Sequence, residues 1–428
     1  MKQSQLFFKT TKTVSKDVQV ISHNLLLRAG FISQLASGVY SFLPLGLKVH
    51  KKIEEIIRQE MNATGAQEVL LATLQPKEIW LKTNRWDHMD PPLFRLKDRH
   101  NKLFALGSTH EEVITALVKS KIQSYKDLPM ALYQIQNKFR NEMRFTGGLL
   151  RTKEFIMKDL YSFHKNEEDL NNYFGKVLSS YEKIFKYCGL DALKSEASGG
   201  VFTKEKTYEF QVLSENGEDR IVYCPKCKWA GNLEVLSNTI EECPQCQEKL
   251  IKASSIEVGH TFRLGTKYSS VFDLYFVNEK GKKELVVMGC YGIGVGRLMG
   301  TIVEVNHDEK GIIWPKTVAP FLVHLIEVKS SWTPAGGLPG GLQSKVKSIC
   351  KKIYNDLQEK KIEVLYDDRE DASAGEKFVE ADLIGIPYRV VVSERTLEKD
   401  SVEIKERGKE KTELVKINEL IKVLRISV

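Results

Sequence analysis

Four groups of residues in this chain carry side chains whose types and spacing can do chemistry. Within Tyr133–His164 stand Arg140, Glu142, Arg151 and Phe155. An arginine fork grips phosphate or carboxylate at two points and an aromatic face stacks on a base, so this set suits a nucleotide. It also suits a charged surface hairpin that binds nothing. In Gly107-Ser108-Thr109-His110-Glu111-Glu112 a hydroxyl and carboxylates crowd one turn, as they do at a binding site or at a helix N-cap. Cys224-Pro225-Lys226-Cys227 and Cys243-Pro244-Gln245-Cys246, fifteen residues apart, have the spacing of a four-thiolate zinc site that is structural, because four sulfurs complete the tetrahedron. Free buried cysteines or two disulfides are the alternatives. Gly289-Cys290-Tyr291-Gly292-Ile293-Gly294-Val295-Gly296-Arg297 follows a strand-like run and invites a dinucleotide reading. The GxGxxG spacing fails, since the last glycine position falls on Arg297 or Met299.

The elements that must position these groups follow from periodicity. Tyr133, Ile135 and Asn137 alternate with Gln134, Gln136 and Lys138 as on a half-buried strand. A loop with Gly147-Gly148 and a return strand Arg151–Phe155 complete an antiparallel hairpin, which sets Arg140 and Arg151 on neighbouring strands. Val49, Ile53, Ile56, Ile57 and Met61 make a helical stripe over 47–61, and 68–74 reads as a strand stopping at Pro76. A strand at Leu103–Leu106, a helix from Val113 to about Ser120, a long helix over 166–187 and a buried strand at Leu285–Met288 are expected. His164 reads as structural rather than as a base. From about Thr317 strands and helices alternate at 321–328, 342–360, 363–366, 377–384 and 389–392, an α/β domain of its own. The Gly/Pro patch Thr333–Gly341 reads as a surface loop.

Composition narrows the class. A chain of 428 residues predicts two or three domains. Its 64 Lys and Arg against 56 Asp and Glu give a net charge of +8, compatible with a polyanionic partner without demanding one. No apolar run approaches the ~20 residues of a membrane span, and the N-terminus lacks the apolar core of a secretory signal. A cytoplasmic protein is expected, in keeping with cysteines placed for metal rather than disulfides.

The FRxE…RxxEF spacing around Arg140 and Phe155 resembles motif 2 of the class II aminoacyl-tRNA synthetases. The 47–76 region resembles motif 1 and the glycine run ending at Arg297 resembles motif 3. GSTHEE and MGCYGIGVGR narrow the resemblance to prolyl-tRNA synthetases of bacterial type. It implies an α+β class II catalytic domain, an antiparallel sheet with helices, in two parts (1–219 and 254–314). A small zinc-ribbon-like insertion (220–253) and a C-terminal α/β anticodon-binding domain (315–428) follow from it. It implies proline–tRNA ligase chemistry: ATP activates proline and the prolyl group passes to tRNA(Pro). Proline is a secondary ammonium with two N–H donors, for which Thr109 and Glu111 supply acceptors. Phe262 and Cys290 would line its ring. Arg140 would bridge the α-phosphate and the proline carboxylate, with Arg297 as the second catalytic arginine. Arg151 and Arg297 would hold the outer phosphates. Phe155 and Arg297 would sandwich adenine, and Glu142 would accept from its amine. Thr152, Glu257 and His260 would complete the ATP site, with Mg2+ near Glu257 screening phosphates. Arg144 would meet the tRNA acceptor stem. A homodimer through motif 1 and structural Zn2+ on the four cysteines are implied. The chain has only 32 residues between Cys224 and Glu257, too few for an editing domain, so a separate trans-editing protein is a possible partner. Two rivals stand: a non-catalytic tRNA-binding relative, and a synthetase for another small amino acid.

Overall fold

The computed structural model describes residues 1–15, 18–143, 147–198, 207–236, 240–328 and 340–426. Contacts divide the chain into two compact units, one of residues 34–40 and 53–302, the other of 1–33, 41–52 and 303–428. The sequence division placed the first 219 residues together; here the early segments group with the C-terminal unit. The reason lies in long-range pairs, such as Lys48 Nζ to Glu363 Oε1 at 2.9 Å and the Ser4 N–H donating to Asp368 Oδ1 at 3.0 Å.

The first unit is built on a nine-stranded sheet whose middle runs Ile251–Gly265, Val287–Gly294, Glu154–His164, Met130–Phe139, all antiparallel neighbours. Glu154–His164 is covered on both faces from Lys158 onward, which accounts for its nearly unbroken burial. One cover is the helix Glu167–Tyr187. Asn166 caps it by accepting from the Asp169 N–H at 2.9 Å, and three acids fill its first turn where the helix dipole favours them. Its apolar stripe packs on the sheet, Phe174 against Tyr291 at 5.4 Å and Phe185 against Phe210 at 5.1 Å between ring centroids. His164 is buried with its Nδ1 3.2 Å from Asp169 Oδ2, a structural placement.

Two expectations are corrected. The return strand of the hairpin begins at Glu154, and Phe139↔Glu154 is the last pair, so Arg140 and Arg151 lie beyond the paired rungs rather than on neighbouring strands. Gly147, at φ +108°, starts the turn Gly148–Leu150 that leads back to Arg151. The 68–74 strand is not one strand. It splits into Gln67–Glu68, paired with Met130–Phe139, and Leu74–Pro76, paired with Leu103–Leu106 in a separate sheet. Between them the Leu71 N–H donates to Gln134 Oε1 and the Leu71 carbonyl accepts from Gln136, so side chains replace the ladder. The motif 1 helix runs Pro44–Ala63 and buries Val49, Ile53, Ile57 and Met61, while Ile56 is half-buried.

The strands Asp219–Tyr223 and Ile251–Gly265 pair from Asp219↔Ser255 to Tyr223↔Ile251, and the cysteine segment projects from that pair. Cys224 Sγ lies 3.5 Å from Cys246 Sγ, and Cys227 Sγ 3.5 Å from Cys243 Sγ, all four unbonded to one another.

The second unit carries a five-stranded sheet ordered Val364–Asp367, Val323–Glu327, Tyr388–Val392, Ser401–Glu406, Thr412–Lys416. The first three strands are parallel and the last two antiparallel. Helix Gly340–Glu359 closes its core through Val346, Cys350, Ile353 and Leu357. The expected loop at 333–339 lies outside the described residues, and Gly340 and Gly341 already belong to that helix. No helix among the described residues is long and apolar enough to cross a membrane.

Candidate active site

Strand register brings the site together. Gln134, Asp159, Gly292 and His260 lie in one row across four strands, and Leu132, Tyr161, Cys290 and Phe262 in the next row but one. On the strand Glu154–His164 the period of two turns Phe155, Met157 and Asp159 to a single face. That face floors a cavity of about 390 Å3. Its walls include Thr109, Glu111, Arg140, Glu142, Arg151, Thr152, Phe155, Glu257, His260, Phe262, Cys290 and Arg297. The residues singled out for amino acid and ATP therefore share one cavity. Arg144 lies outside the described residues.

One end of the cavity is acidic. The Thr109 hydroxyl stands 2.8 and 2.7 Å from the two oxygens of Glu111, and Cys290 Sγ is 3.3 Å from Glu111 Oε1. Thr109 is not a cap: the N-cap position of Glu111–Val118 is His110, without a side-chain bond. A Cβ on Gly107 would come 2.7 Å from Gln75 Nε2, so glycine is what allows this loop to lie so close to its neighbours. Burial, with Glu111 next, pushes the Cys290 thiol far up, so it is neutral.

Behind this end lies a buried polar layer that the sequence reading missed. Asp159 Oδ1 is 2.7 Å from Lys138 Nζ, and Asp159 Oδ2 accepts from Gln134 at 2.9 Å and from the Tyr161 hydroxyl at 2.9 Å. Burial opposes the Asp159 charge, but Lys138 and His110 hold its carboxyl below the usual range. His110 is itself lowered to about 4 by burial and by Lys138. The signal that could have revealed this layer is the pair of charges in the otherwise apolar run Phe155–Phe163.

The other end is cationic. Arg140 lines the cavity with its guanidinium carbon 5.3 Å from the Phe155 ring centroid, and its buried Nε has no hydrogen-bond partner. Burial, then Arg297, lowers its pKa. Its backbone N–H donates to the Lys153 carbonyl at 2.8 Å, and the Lys153 N–H donates to the Gly38 carbonyl at 2.8 Å. Arg151 is tied to Glu142 Oε2 at 2.9 Å and to Glu218 Oε2 at 2.8 Å. Arg297 donates to the Leu150 carbonyl at 2.9 Å and to Glu257 Oε2 at 3.1 Å. Glu257 also meets His260 Nδ1 at 3.2 Å, and the His260 ring stacks on Phe262 at 3.9 Å. Burial works against the Glu257 charge, yet the His260 hydrogen bond and the Arg297 charge bring it to about 2. Nearby Glu209, 3.5 Å from His260 Nδ1, is pushed to about 7 by burial and by Glu257. Glu209, Glu257 and His260 present ligand atoms within 4.8 Å of one another, two of them carboxylate oxygens of the kind Mg2+ takes and the third an imidazole nitrogen, and the four cysteines form the only other such group among the described residues.

A cavity with an anionic pocket at one end and arginines with an aromatic ring at the other fits an amino acid held against a nucleotide. Comparison with known proteins agrees. Residues 94–306 match the tRNA synthetase class II core domain (G, H, P, S and T), and residues 334–426 the anticodon binding domain. The proline–tRNA ligase of Dehalococcoides mccartyi is 34% identical over 98% of each chain, and that of Persephonella marina 36% identical over 98% of this chain and 99% of its own. The first alignment extends over 568 residues, 140 more than the 428 of this chain, so that relative carries residues without counterpart here. Prolyl-tRNA synthetase of Giardia lamblia, solved in complex with prolyl-adenylate, shares the fold with a TM-score of 0.78 over 97% of this chain and 76% of its own, at 20% identity. With a class II core, an anticodon-binding domain and these near full-length relatives, the chain belongs to the proline–tRNA ligase family.

Proposed function

We propose that the chain activates L-proline with ATP to prolyl-adenylate and transfers the prolyl group to the 3′ end of tRNA(Pro). The observation that carries this reading is Arg140: a half-buried arginine whose buried Nε is unbonded and which has no carboxylate partner among the described residues, lining the cavity that also holds the Thr109–Glu111 pair. Adenylate formation needs no base, because proline's carboxylate is already the nucleophile. The protein's part is to hold the reactants in line and to stabilise charge on the α-phosphate. Glu111 and Thr109 receive the ring ammonium, while Phe262 and Cys290 cover the apolar ring. Arg140 spans the proline carboxylate and the α-phosphate. Arg151 leaves Glu142 and Glu218 for the outer phosphates, which frees Glu142 for the adenine amine, and Thr152 contributes to the same site. Phe155 and Arg297 flank the base. Arg144 is assigned to the acceptor stem.

Mg2+ would screen the β- and γ-phosphates when bound, and the carboxylates of Glu257 and Glu209 are the groups that would hold it. The four cysteine sulfurs, within 4.8 Å of one another, fit a tetrahedral Zn2+ that fastens a zinc-ribbon-like insertion and takes no part in the reaction. The domain boundaries at 219, 253 and 314, a homodimer through the motif 1 region, a cytoplasmic location and reliance on a separate editing protein belong to the same proposal. Exposed Leu35 and Leu70, at 79% and 76%, are apolar surface a second copy would cover. The test is proline-dependent ATP–pyrophosphate exchange by the purified protein. Exchange with proline is expected to be far faster than with threonine, glycine or alanine at equal concentration, with alanine detectable; no exchange with any amino acid refutes the reading.

A further inference from the structure

The carboxylate that receives the ammonium does not stand alone. Glu112 follows Glu111, both open the helix Glu111–Val118, and both are fully buried. Arg85, from the short helix Arg85–His88, reaches the two of them. Its Nη1 is 3.1 Å from Glu111 Oε2, 3.0 and 3.2 Å from the oxygens of Glu112, and 2.9 Å from the Tyr268 hydroxyl. The rings of Trp80 and Tyr268 lie 5.4 and 5.8 Å from the guanidinium carbon. Glu112 also accepts from the Thr83 hydroxyl at 2.7 Å. Of these three charged groups, only Glu111 lines the cavity.

Two carboxylates buried side by side do not both ionise unless a cation sits with them. Burial pushes the Glu112 carboxyl up and Glu111 adds to this; Arg85 and the Thr83 hydrogen bond draw it back without reversing the rise. Burial opposes the Arg85 charge, but Glu112, Tyr268 and Glu111 outweigh it and raise its pKa. The other titratable groups facing this cluster do not change the count. Lys267 is exposed and screened by solvent, Tyr268 and Cys290 are neutral, and Lys138 pairs with Asp159 beside a neutral His110. With both carboxylates ionised, Arg85, Glu111 and Glu112 sum to one negative charge, and of the three Glu111 alone lines the cavity.

We propose that Arg85 is a positioning residue of the amino acid site: it keeps Glu111 and Glu112 both ionised, fixes the Glu111 carboxylate against Thr109, and leaves one net negative charge for the substrate's ring ammonium. The inference rests on Glu111 being the ammonium-binding group. A site counted in this way selects a cationic amine by charge balance as well as by shape.

The test measures the proline and ATP dependence of pyrophosphate exchange between about pH 6 and pH 9 for wild type, Arg85→Met, Arg85→Lys and Glu112→Gln. In Arg85→Met the proline KM should rise at least about tenfold, the loss of a charged hydrogen bond, while the ATP KM stays within about threefold. That proline KM should fall as pH rises, because the proton trapped between Glu111 and Glu112 must leave first; the wild-type value should be flat. Arg85→Lys should restore part of the affinity and flatten the profile. Glu112→Gln still accepts from Thr83 and Arg85, yet Arg85 now cancels Glu111, so its proline KM should also rise about tenfold. If Arg85→Met does not fold, Glu112→Gln decides the matter. A wild-type proline KM in Glu112→Gln, or proline and ATP KM rising together in Arg85→Met with a flat pH profile, overturns the inference alone. Wild-type protein without proline-dependent exchange overturns the proposed function with it.

Discussion

Replacing Arg140 by Met separates what this residue does for the fold from what it does for the reaction. The substitution keeps most of the stem and removes the guanidinium. The backbone bond from the Arg140 N–H to the Lys153 carbonyl, 2.8 Å, survives any side chain. What the free protein loses is packing over Phe155 at 5.3 Å, worth about 1 kcal/mol for a cation on a ring. Against this stands the relief of a half-buried cation that has no carboxylate partner among the described residues and whose buried Nε is unbonded, a gain of about the same size. The two nearly cancel, so the melting temperature should move by less than about 4 °C in either direction. The reaction has no such compensation. Removing one preplaced electrostatic donor costs roughly 3–4 kcal/mol, or 10²–10³ in rate. The assay is pyrophosphate exchange alongside calorimetry on the same preparation. Exchange within about tenfold of wild type would remove Arg140 from the reacting groups. Lost exchange with a melting temperature lowered by more than about 8 °C would make Arg140 a structural tie and the reasoning wrong.

Asp159→Asn strands Lys138 in a fully buried position, and urea unfolding should show a loss of about 3–5 kcal/mol, mostly recovered in the Asp159→Asn/Lys138→Met double variant. His110, lowered to about 4, makes a depressed-pKa contribution that is fully present above its unfolded pKa near 6.5 and is lost as pH falls toward 4. Wild type should thus lose about 2 kcal/mol more than His110→Gln between pH 6.5 and pH 5, and equal losses would refute this. Metal analysis should find about one zinc per chain, absent after Cys243→Ser/Cys246→Ser; wild-type protein with four freely titrating thiols would rule out the site. Preformed alanyl-tRNA(Pro) should be hydrolysed no faster with the protein than without it, since the pocket separates alanine from proline only by roughly 2–6 kcal/mol of apolar contact and no editing domain is expected between Cys224 and Glu257. Deacylation well above the background rate would reveal one.

Much of the lining of the cavity was legible in the sequence, as residues of a hairpin and of glycine turns. The strand Met130–Phe139 stands where Tyr133, Ile135 and Asn137 alternate, yet it is not open on one face, since Gln134 and Lys138 are fully buried; the cavity walls include the arginines, Phe155 and the Thr109–Glu111 pair. The placement of Arg140 and Arg151 was misjudged because Arg151–Phe155 alternates like a strand. Pairing instead stops at Phe139↔Glu154, and a tertiary bond from Lys153 to Gly38 holds the rest. The break at 69–73 was invisible for a similar reason: Gln134 and Gln136 take up the Leu71 backbone groups, and no local pattern announces a side chain acting as a ladder. Arg85 and Glu112 escaped because their relation is purely spatial. In the second unit, the strands Ser401–Glu406 and Thr412–Lys416 were missed because the last is largely exposed, with only Val415 buried, so it lacks the apolar run that marked its parallel neighbours.

The cysteine segment leaves and rejoins the sheet at directly opposed residues, Tyr223 and Ile251. Two chain ends held about 5 Å apart by an existing ladder form a socket, and whatever is plugged in needs ends that meet at one strand spacing. Of the 27 residues between Tyr223 and Ile251, Ala230–Asn232 is itself a strand of the sheet, laid between Asp219–Tyr223 and Ala192–Ala197, so the plug completes the sheet it is plugged into. A protein engineer who exchanged it for a reporter or a binding module with adjacent termini would have to supply that strand again, together with the Asn232 amide that donates to Glu209 at 3.2 Å. Family members of different length could differ by the same kind of exchange without rebuilding the enzyme around it.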